Sequence, residues 1–258
     1  MLNIVVPMAG LGSRFAEAGY RDPKPLIPVH GIPMIEVVIN NLRPQVPHRF
    51  IFICQQQHQR QYNIWTWIKS MEPACEVILL DGMTEGAACT VLSARKHIDN
   101  SQPLMIANCD QWVNHSINDY LAAFDTHKFA GFIMTMRANS PKWSYVKRDL
   151  TKRVCAVVEK QVVSDEATVG IYNFAAGRDF VAAADAMIAA NIRVNNEFYV
   201  APTYTQLAES GKAIGTFSVG TDTEGMYGLG TPADLDRFLT CGFQTRLQQE
   251  RRTVRRAA

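Results

Sequence analysis

The sequence lacks the features that would place it in a membrane or on a nucleic acid. No apolar run approaches the roughly 20 residues that a transmembrane helix needs, which excludes a membrane span. The net charge is only +2, so neither a nucleic-acid partner nor a polybasic membrane surface is indicated, although residues 246–256 are locally basic. With 47% hydrophobic and 19% charged residues, the composition is instead that of an ordinary globular protein.

The chain also lacks paired cysteines and a recognisable export signal. Its six cysteines are scattered without a C-x-x-C pair, which favours reduced core thiols over disulfides or a zinc site. The apolar segment 2–8 has no basic residues before it and runs directly into a glycine loop, so we expect no signal peptide. These observations predict a cytoplasmic protein.

Short β-rich runs alternate with helical patterns in the first half of the chain, which is typical of a mainly parallel sheet flanked by helices. The strands predicted there cover residues 3–7, 49–54, 76–80, 104–107 and 130–136, and the helices cover 34–42, 58–71, 86–98 and 117–127. Beyond residue 140, strands are predicted over 143–147, 154–159, 168–174 and 213–219, and helices over 179–190, 201–210 and 232–239. The pattern predicts an α/β fold, with a single domain over residues 1–240 and a basic tail over 241–258.

The first predicted strand ends in a turn that carries Gly10 and Gly12, followed by Ser13 and Arg14. Glycine lets backbone N–H groups face a ligand without a Cβ in the way, and open α/β sheets bind ligands beyond the carboxyl ends of their strands. The dinucleotide fingerprint G-x-G-x-x-G fails because Phe15 stands at the third glycine, and no Walker G-K-[ST] follows. A phosphate group is the expected ligand, and a purely structural turn is the alternative.

Two charged residues strengthen the interpretation of a phosphate site. Pro23 and Pro25 flank Lys24 and restrict its backbone, which favours an ammonium group aimed at an anion over a solvated one. Asp110 follows the predicted strand 104–107 and can bind Mg²⁺, which takes one or two carboxylates together with substrate phosphates. The alternative role for Asp110 is to cap the following turn.

These elements, in this order and spacing, resemble the sugar-phosphate nucleotidylyltransferases over about residues 3–239. Within that family, the similarity is greatest to bacterial cytidylyltransferase-like proteins of surface-polysaccharide pathways. The resemblance implies a Rossmann-like (GT-A-like) mixed sheet with a smaller substrate-binding α+β portion. It divides the domain into a nucleotide-binding half of about residues 1–140 and an acceptor-binding half of about 141–240. The implied reaction moves a nucleoside monophosphate from a triphosphate to a phosphorylated small molecule and releases pyrophosphate.

The resemblance also implies roles for individual residues, which follow the family's motifs along the chain. The loop after the first strand, the segment Glu85-Gly86-Ala87-Ala88, the pair Glu159-Lys160 and the segment Val169-Gly170-Ile171-Tyr172 each resemble one motif. The implied catalytic residues are Arg14, Lys24 and Lys160, and the implied metal ligand for Mg²⁺ is Asp110. The implied nucleotide-binding residues are Ala9, Gly10, Gly12, Ser13, Asp81, Glu85 and Gly86, and the acceptor-binding residues are Glu159, Lys160, Gly170 and Glu197.

One departure from the family pattern affects the expected metal site. The segment Met226–Pro232 resembles the family's W-x-D-x-G-T-P, but Gly228 occupies the place of a second metal-binding aspartate. Asp222 or Glu224 would be substitutes from the same loop, or Mg²⁺ would use Asp110, the triphosphate and water. The remaining possibility is a catalytically impaired nucleotide-binding protein.

Several alternatives stay open at the level of sequence. Carboxylates at Asp81 or Glu85 would favour a base with an exocyclic amine, and similarity in the loop segments favours CTP, although both acids can equally face solvent. The competing enzyme class is an NDP-sugar-dependent glycosyltransferase, which Asn108 argues against because it replaces the first acid of a D-x-D motif. The expected partners are a nucleoside triphosphate and a phosphorylated acceptor, and the formation of a homo-oligomer is left open.

Overall fold

The strands and helices of the chain follow its apolar periodicity closely. The structure, a computed structural model, describes residues 1–257; Ala258, the last residue of the predicted tail, lies outside the described residues. The described strands are β1 (Leu2–Met8), β2 (Pro28–Val29), β3 (Ile32–Pro33), β4 (His48–Gln55), β5 (Glu76–Leu80), β6 (Leu104–Ala107), β7 (Gln111–Val113), β8 (Gly131–Arg137), β9 (Ser144–Arg148), β10 (Val154–Glu159), β11 (Glu166–Phe174), β12 (Ile214–Thr221) and β13 (Met226–Gly228). The described α-helices are α1 (Ser13–Glu17), α2 (Met34–Leu42), α3 (Gln56–Tyr62), α4 (Ile64–Met71), α5 (Ala87–Leu92), α6 (Arg95–Ile98), α7 (Ile117–His127), α8 (Gly177–Ala189), α9 (Thr203–Glu209), α10 (Pro232–Leu239) and α11 (Gln244–Ala257).

The main sheet is mixed, with the strand order β12-β8-β11-β6-β1-β4-β5. Strands β6, β1, β4 and β5 run parallel, whereas β11 runs antiparallel to both of its neighbours, β6 and β8. The β9–β10 hairpin extends the sheet from the amino-terminal part of β11. This mixed, Rossmann-like sheet confirms the predicted α/β fold class.

Helices cover both faces of the sheet, and β1 shows why. Ile4 and Val6 belong to one buried cluster, Val5 belongs to another, and all three are fully buried. Successive side chains of a strand point to opposite faces, so a strand with apolar residues on both faces requires a layer of helices on each. Helices α2 and α7 pack on one face, and α8 and α9 pack on the other.

Two predicted helices are each divided in the structure. The predicted helix 58–71 becomes α3 and α4, because Asn63 adopts the left-handed conformation with a φ of 49°. Its side-chain oxygen accepts hydrogen bonds from Gln59 and Thr66, and asparagine tolerates this conformation better than most residues. The predicted helix 86–98 similarly becomes α5 and α6.

The carboxyl-terminal segment, expected as a basic tail, forms helix α11 and packs on the domain. Leu247 is 2% exposed within a cluster that also contains Trp112 and Leu235. The Arg251 guanidinium donates to the carboxylate of Glu36 on α2 at 2.8 Å. Leu247 and Arg251 therefore attach the helix to the rest of the domain, which the basic composition of the segment does not reveal.

Two expectations about the whole chain can be compared with the described residues. All six cysteines are free; Cys54, Cys75 and Cys109 are buried, whereas Cys89, Cys155 and Cys241 are partly exposed, so only half of them are core thiols. No helix between residues 1 and 257 is long and apolar enough to cross a membrane.

Candidate active site

A cavity of about 340 Å³ lies beyond the carboxyl ends of β1 and β6, where parallel sheets of this kind bind ligands. Its walls come from both halves of the chain. The lining residues are Pro7, Ala9, Gly10, Lys24, Met83, Thr84, Gly86, Ala87, Thr90, Asn108, Cys109, Asp110, Glu197 and Tyr199.

The glycine loop after β1 is held in place from both ends. Gly12 has a φ of 66°, which only glycine adopts readily, and a Cβ there would lie 3.1 Å from the Cβ of Lys24. Phe15, which stands where a dinucleotide fingerprint has its third glycine, is 1% exposed and packs edge-on against Tyr20. The loop is thus anchored by a buried aromatic ring and passes directly beside Lys24.

Lys24 and Asp110 form the charged centre of the cavity. Lys24 begins a short 3-10 helix, Lys24–Leu26, that follows the extended Pro23, and its ammonium group forms an ion pair with Oδ2 of Asp110. Burial acts to lower the pKa of Lys24, but the charge of Asp110 and its hydrogen bond outweigh burial, so that the pKa is raised. The lysine is therefore a permanent cation at neutral pH.

Two neighbours confine this ion pair. The thiol of Cys109 is neutral at pH 7, because burial raises its pKa to about 11 even though Lys24 acts to lower it. The backbone N–H of Leu229 donates to the carbonyl of Asp110 at 2.8 Å, which brings the next residue, Gly230, against the aspartate. A Cβ at Gly230 would lie 2.7 Å from Oδ2 of Asp110, so a glycine is needed there for steric reasons.

A second group of polar residues adjoins the cavity on the side of the carboxyl-terminal half. Lys160 follows β10 with a φ of 56°, and its ammonium group lies 2.5 Å from the hydroxyl of Tyr199 and 4.6 Å from the centre of that ring. Glu159 is buried and accepts a hydrogen bond from Ser144. Burial raises the pKa of Glu159, Ser144 and Lys160 act to lower it, and Glu197 acts to raise it.

Glu159 lines a separate cavity of about 250 Å³, which shares Glu197 and Tyr199 with the first. Desolvation and Glu197 both raise the pKa of Tyr199, so its phenol stays neutral and can donate a hydrogen bond. The two cavities are therefore neighbouring compartments that these two side chains separate.

The segment expected to contact the base is joined directly to the segment that carries Glu197. The N–H of Phe198 donates to the carbonyl of Glu85 at 2.7 Å, and the N–H of Ala88 donates to the carbonyl of Phe198 at 2.9 Å. Gly86 lies between them with a φ of 123°, and a Cβ there would lie 2.5 Å from the backbone nitrogen and oxygen of Phe198. Only glycine permits this close approach of two backbones.

The structure brings most of the predicted site residues together. Ala9, Gly10, Lys24, Gly86, Asp110 and Glu197 line the first cavity, and Glu159 lines the second. Arg14 is exposed at the start of α1, yet it is close enough to Lys24 and Tyr199 to act on the pKa values of both. Gly12 and Ser13 belong to the same loop but do not line the cavity.

Lys160 lines neither cavity, and Asp81, Glu85 and Gly170 are also placed outside them. Asp81 is exposed, and the Glu85 side chain points to Arg193, whose Nη1 lies 2.5 Å from its carboxylate. Gly170 lies beneath the site, since a Cβ there would be 2.4 Å from both the Asn108 amide and the Gln111 side chain. This glycine therefore permits packing under the cavity floor.

Sequence reasoning missed several residues that the structure brings to the cavity. Thr84 and Thr90 supply hydroxyl groups 2.6 Å apart on one wall, and Tyr199 separates the two cavities. Gln55, at the end of β4, connects two loops around the cavity. The clustering of threonine around Gly86 was an available signal, whereas the role of Gln55 depends on contacts with residues far away in sequence.

The donor set fits a Mg²⁺ ion that is held only partly by protein. No group of three or more His, Cys, Asp or Glu side chains that could hold a metal occurs within residues 1–257. Asp110 and Glu197 both line the cavity, and Asp110, at the end of the β6 side, suits Mg²⁺ when substrate phosphates and water complete the coordination of the ion.

The region of Gly228 does not add a second carboxylate to the central cavity. A Cβ at Gly228 would lie 3.5 Å from the carboxyl carbon of Asp234. Asp222 lines a small cleft with Lys142, Gly228 and Asp234, and neither Asp222 nor Glu224 lines the central cavity. Asp110 is thus the aspartate available to a metal within this cavity.

The structure thus combines a mixed α/β sheet with a lysine and an aspartate at the edge where such sheets bind ligands. The family model for nucleotidyl transferases matches residues 4–198, and the chain belongs to that family. The protein is therefore a nucleotidyltransferase.

Among individual proteins, one shares a short stretch of sequence with this chain, and solved structures share its fold. Over 40 residues, the chain is 55% identical to a 2-aminoethylphosphonate cytidylyltransferase of Lancefieldella rimae, a match that spans 16% of each protein. The fold is similar to a nucleoside-diphosphate-sugar pyrophosphorylase of Vibrio cholerae RC9, with a TM-score of 0.75, 24% identity, and coverage of 92% of this chain and 99% of that one. It is also similar to an inositol-1-phosphate CTP transferase of T. maritima, with a TM-score of 0.69, 11% identity and 96% coverage of both chains.

Proposed function

We propose that this protein transfers a nucleoside monophosphate from a nucleoside triphosphate, with CTP the favoured donor, to a phosphorylated small molecule. Pyrophosphate is the second product. The observation that carries the proposal is the Lys24–Asp110 ion pair beside Gly10, in a cavity that also meets Glu197 and Tyr199.

Electrostatics explains why several cations are needed. The acceptor phosphate must approach the α-phosphate of the donor, and two unit charges at about 4 Å repel by roughly 4 kcal/mol at an effective dielectric constant of about 20. In this proposal Lys24 and Arg14 bind the triphosphate, and Lys160 binds the acceptor phosphate. These positively charged groups lower the cost of bringing the two anions together and stabilise the charge that moves onto the leaving pyrophosphate.

The acceptor is expected to occupy the side of the cavity formed by Glu159, Lys160, Glu197 and Tyr199. Tyr199 fixes the Lys160 ammonium at 2.5 Å, and the buried Glu159 and the partly exposed neighbour Glu197 offer oxygen acceptors for hydroxyl or amine groups of the substrate. A phosphate or phosphonate is already ionised near pH 7 and needs no general base. This agrees with the absence of histidine from the lining of both cavities.

Asp110 would hold Mg²⁺ together with the triphosphate. The ion, when bound, neutralises phosphate charge and orients the donor for attack. Lys24 is already paired with Oδ2 of Asp110. As the triphosphate enters, the lysine would move toward the phosphates and leave Asp110 to Mg²⁺. The aspartate and the phosphates would then each keep a positive partner.

The preference for CTP is the most specific part of the proposal, because it concerns the identity of the base. The partial match to a cytidylyltransferase supports it. The carboxylates of Asp81 and Glu85, which were expected to accept from the base, do not line the cavity. Backbone carbonyl groups and the hydroxyls of Thr84 and Thr90 are the acceptors available to an exocyclic amine instead.

The test is a matrix of the four common nucleoside triphosphates against phosphorylated acceptors, read by pyrophosphate release in the presence of Mg²⁺. The acceptors should include sugar 1-phosphates, inositol 1-phosphate and 2-aminoethylphosphonate. We expect product with one donor, CTP, and one class of acceptor. Equal use of all four triphosphates would contradict the donor preference.

The variant Asp110→Asn tests whether product formation can be lost while nucleotide binding is kept. The variant keeps the size of the side chain and loses the charge that Mg²⁺ and Lys24 require, so we expect product formation to fall by at least about 100-fold while the fold is retained. If the parent and the variant bind nucleotide equally and neither forms product with any pairing, the catalytically impaired alternative is correct. Transfer of sugar from an NDP-sugar without pyrophosphate formation would instead support the glycosyltransferase alternative.

A further inference from the structure

Gln55 stands out because one buried side chain connects two loops that face each other across the cavity. It is the last residue of β4, which lies between β1 and β5 in the sheet, and it is 6% exposed. Its Nε2 donates to the carbonyl of Ala9 at 2.8 Å and to the carbonyl of Gly82 at 3.0 Å. Both N–H groups of the amide are thereby used, one on the loop after β1 and one on the loop after β5.

No hydrogen bond in the described structure links residues 9–12 directly to residues 82–86; each loop is otherwise held at its own flank, by Phe15 and by Phe198 respectively. Leu11 and Met83, at their tips, are 58% and 62% exposed. Gly82 and Gly12 have positive φ values, with open space around the missing Cβ of Gly82. Segments with exposed tips and few packing contacts open at low free energy, so a buried cross-link has a large effect on their separation.

The orientation of the Gln55 amide is unambiguous. Backbone carbonyl oxygens only accept hydrogen bonds, so a flipped amide would place its own oxygen against both Ala9 and Gly82. The side chain is therefore locked with its donors toward the loops. A residue of the same size that cannot donate twice would leave at least one of these carbonyls unpaired.

We propose that Gln55 is a positioning residue that sets the width of the slot between residues 9–12 and 82–86, and through it the discrimination among nucleoside triphosphates. The inference rests on the proposed function, because it takes this slot as the place of the base. Ala9, Gly10, Met83 and Gly86 all line the cavity, so a change in loop separation alters the surface that the base contacts. The Lys24–Asp110 centre and the Glu159–Lys160 side of the site make no hydrogen bond to Gln55 in the described structure.

Gln55→Met tests this with a side chain of similar size that cannot donate. We expect the KM for the preferred triphosphate to rise about tenfold, kcat to change by less than threefold, and the preference for that triphosphate over the next best to fall about tenfold. Isothermal titration with each Mg²⁺–triphosphate, without acceptor, should show the same loss of affinity. The matched control is Gln57→Met, since Gln57 is exposed on α3 and its side chain makes no hydrogen bond in the described structure.

Gln55→Glu tests the positioning role through the pH dependence of KM, which a purely structural role of Gln55 would not change. An ionised carboxylate cannot donate to either carbonyl, whereas the protonated acid can donate to one, and burial raises the pKa of such a carboxyl group. The KM of this variant relative to the parent should therefore fall as the pH is lowered from 8 to 6, while that of Gln55→Met should not.

The outcomes distinguish this inference from the function on which it rests. If the parent binds none of the four triphosphates, the proposed function fails. If the parent binds a triphosphate and folded Gln55→Met binds it with unchanged affinity and preference, the positioning role is wrong. Should Gln55→Met fail to fold, a pH-independent KM ratio for Gln55→Glu would overturn the proposal in the same way.

Discussion

At the scale of single residues, Lys160 combines an unfavourable backbone conformation with a side chain held at the cavity. A non-glycine residue with a φ of 56° costs roughly 1–2 kcal/mol, so its side chain is placed there at the expense of stability. The contact with Tyr199 fixes the ammonium group where the acceptor is expected. Replacing Lys160 should therefore raise the KM for the acceptor and leave the affinity for the triphosphate nearly unchanged.

Lys160→Met is expected to raise the KM for the acceptor about tenfold. This corresponds to about 1.4 kcal/mol, as expected for the loss of one partly exposed charge contact. The affinity for the triphosphate should stay within about twofold, as measured by titration without acceptor. Lys152→Met is a close control, because Lys152 also has a positive φ, 65°, but lies in the turn between β9 and β10. Equal loss for donor and acceptor would show that Lys160 does not act on the acceptor alone.

Glu159 should make the stability of the protein depend on pH in a particular direction. Burial raises its pKa above the ordinary value of 4.5, so the folded protein binds this proton more tightly than the unfolded chain. The contribution of Glu159 to stability is then most favourable below pH 4.5 and is lost as the pH rises through the pKa of the folded state. Glu159→Gln removes this penalty and can still accept the hydrogen bond from Ser144.

We therefore expect Glu159→Gln to be more stable than the parent at pH 7, with the difference shrinking toward pH 4, in urea unfolding measured across that range. The same variant should use its acceptor less well, since the carboxylate is lost from the second cavity. Glu17→Gln removes a carboxylate at an exposed position on α1, outside both cavities, and serves as the control. A difference in stability that does not vary with pH would contradict the role of burial.

At the scale of elements, Gly86 joins the amino-terminal end of α5 to the segment around Phe198. Its φ of 123° and ψ of 176° lie in a region of backbone space that is almost confined to glycine, where other residues cost about 1–3 kcal/mol. Gly86→Ala should destabilise the protein by at least about 2 kcal/mol, because the new methyl group also meets backbone atoms at 2.5 Å.

Gly211→Ala isolates the contribution of the backbone conformation to this loss. Gly211 also has a positive φ, 79°, but a Cβ there would enter open space. Thermal unfolding should show a larger decrease in Tm for Gly86→Ala than for Gly211→Ala, and only Gly86→Ala should lower turnover. Similar decreases in Tm for the two variants would mean that the backbone around Phe198 can move to accommodate the new methyl group at little cost.

Much of the element order could be predicted from sequence, because buried strands and amphipathic helices leave local patterns. The strands 76–80, 104–107 and 154–159 and the helices 34–42 and 117–127 have the predicted bounds. The sequence did not predict the two-stranded ribbon of β7 and β13. Its strands are only three residues long, and they form through pairing between segments far apart in sequence, such as residues 111 and 228. The same holds for Gln55 and Tyr199, whose roles arise from contacts 46 and 39 residues away.

At the scale of the whole molecule, the two halves assigned to nucleotide and acceptor are interleaved in one sheet. Strand β11, from the second half, lies between β6 and β8, both from the first. Asn173 of β11 is paired with Met105 on one side and Phe132 on the other. Both major buried clusters also contain residues from each half, so neither half can bury its apolar surface alone.

We expect this interleaving to make unfolding of the sheet a single cooperative transition, despite a length of 258 residues at which separate domains are common. Urea unfolding followed by far-UV circular dichroism should coincide with the fluorescence of two variants, each retaining one tryptophan. Trp67 would report on α4 in the first half, and Trp143 would report on the start of β9 in the second. Two separated transitions would show that the halves are independent domains, and a site built between them would then depend on how they dock.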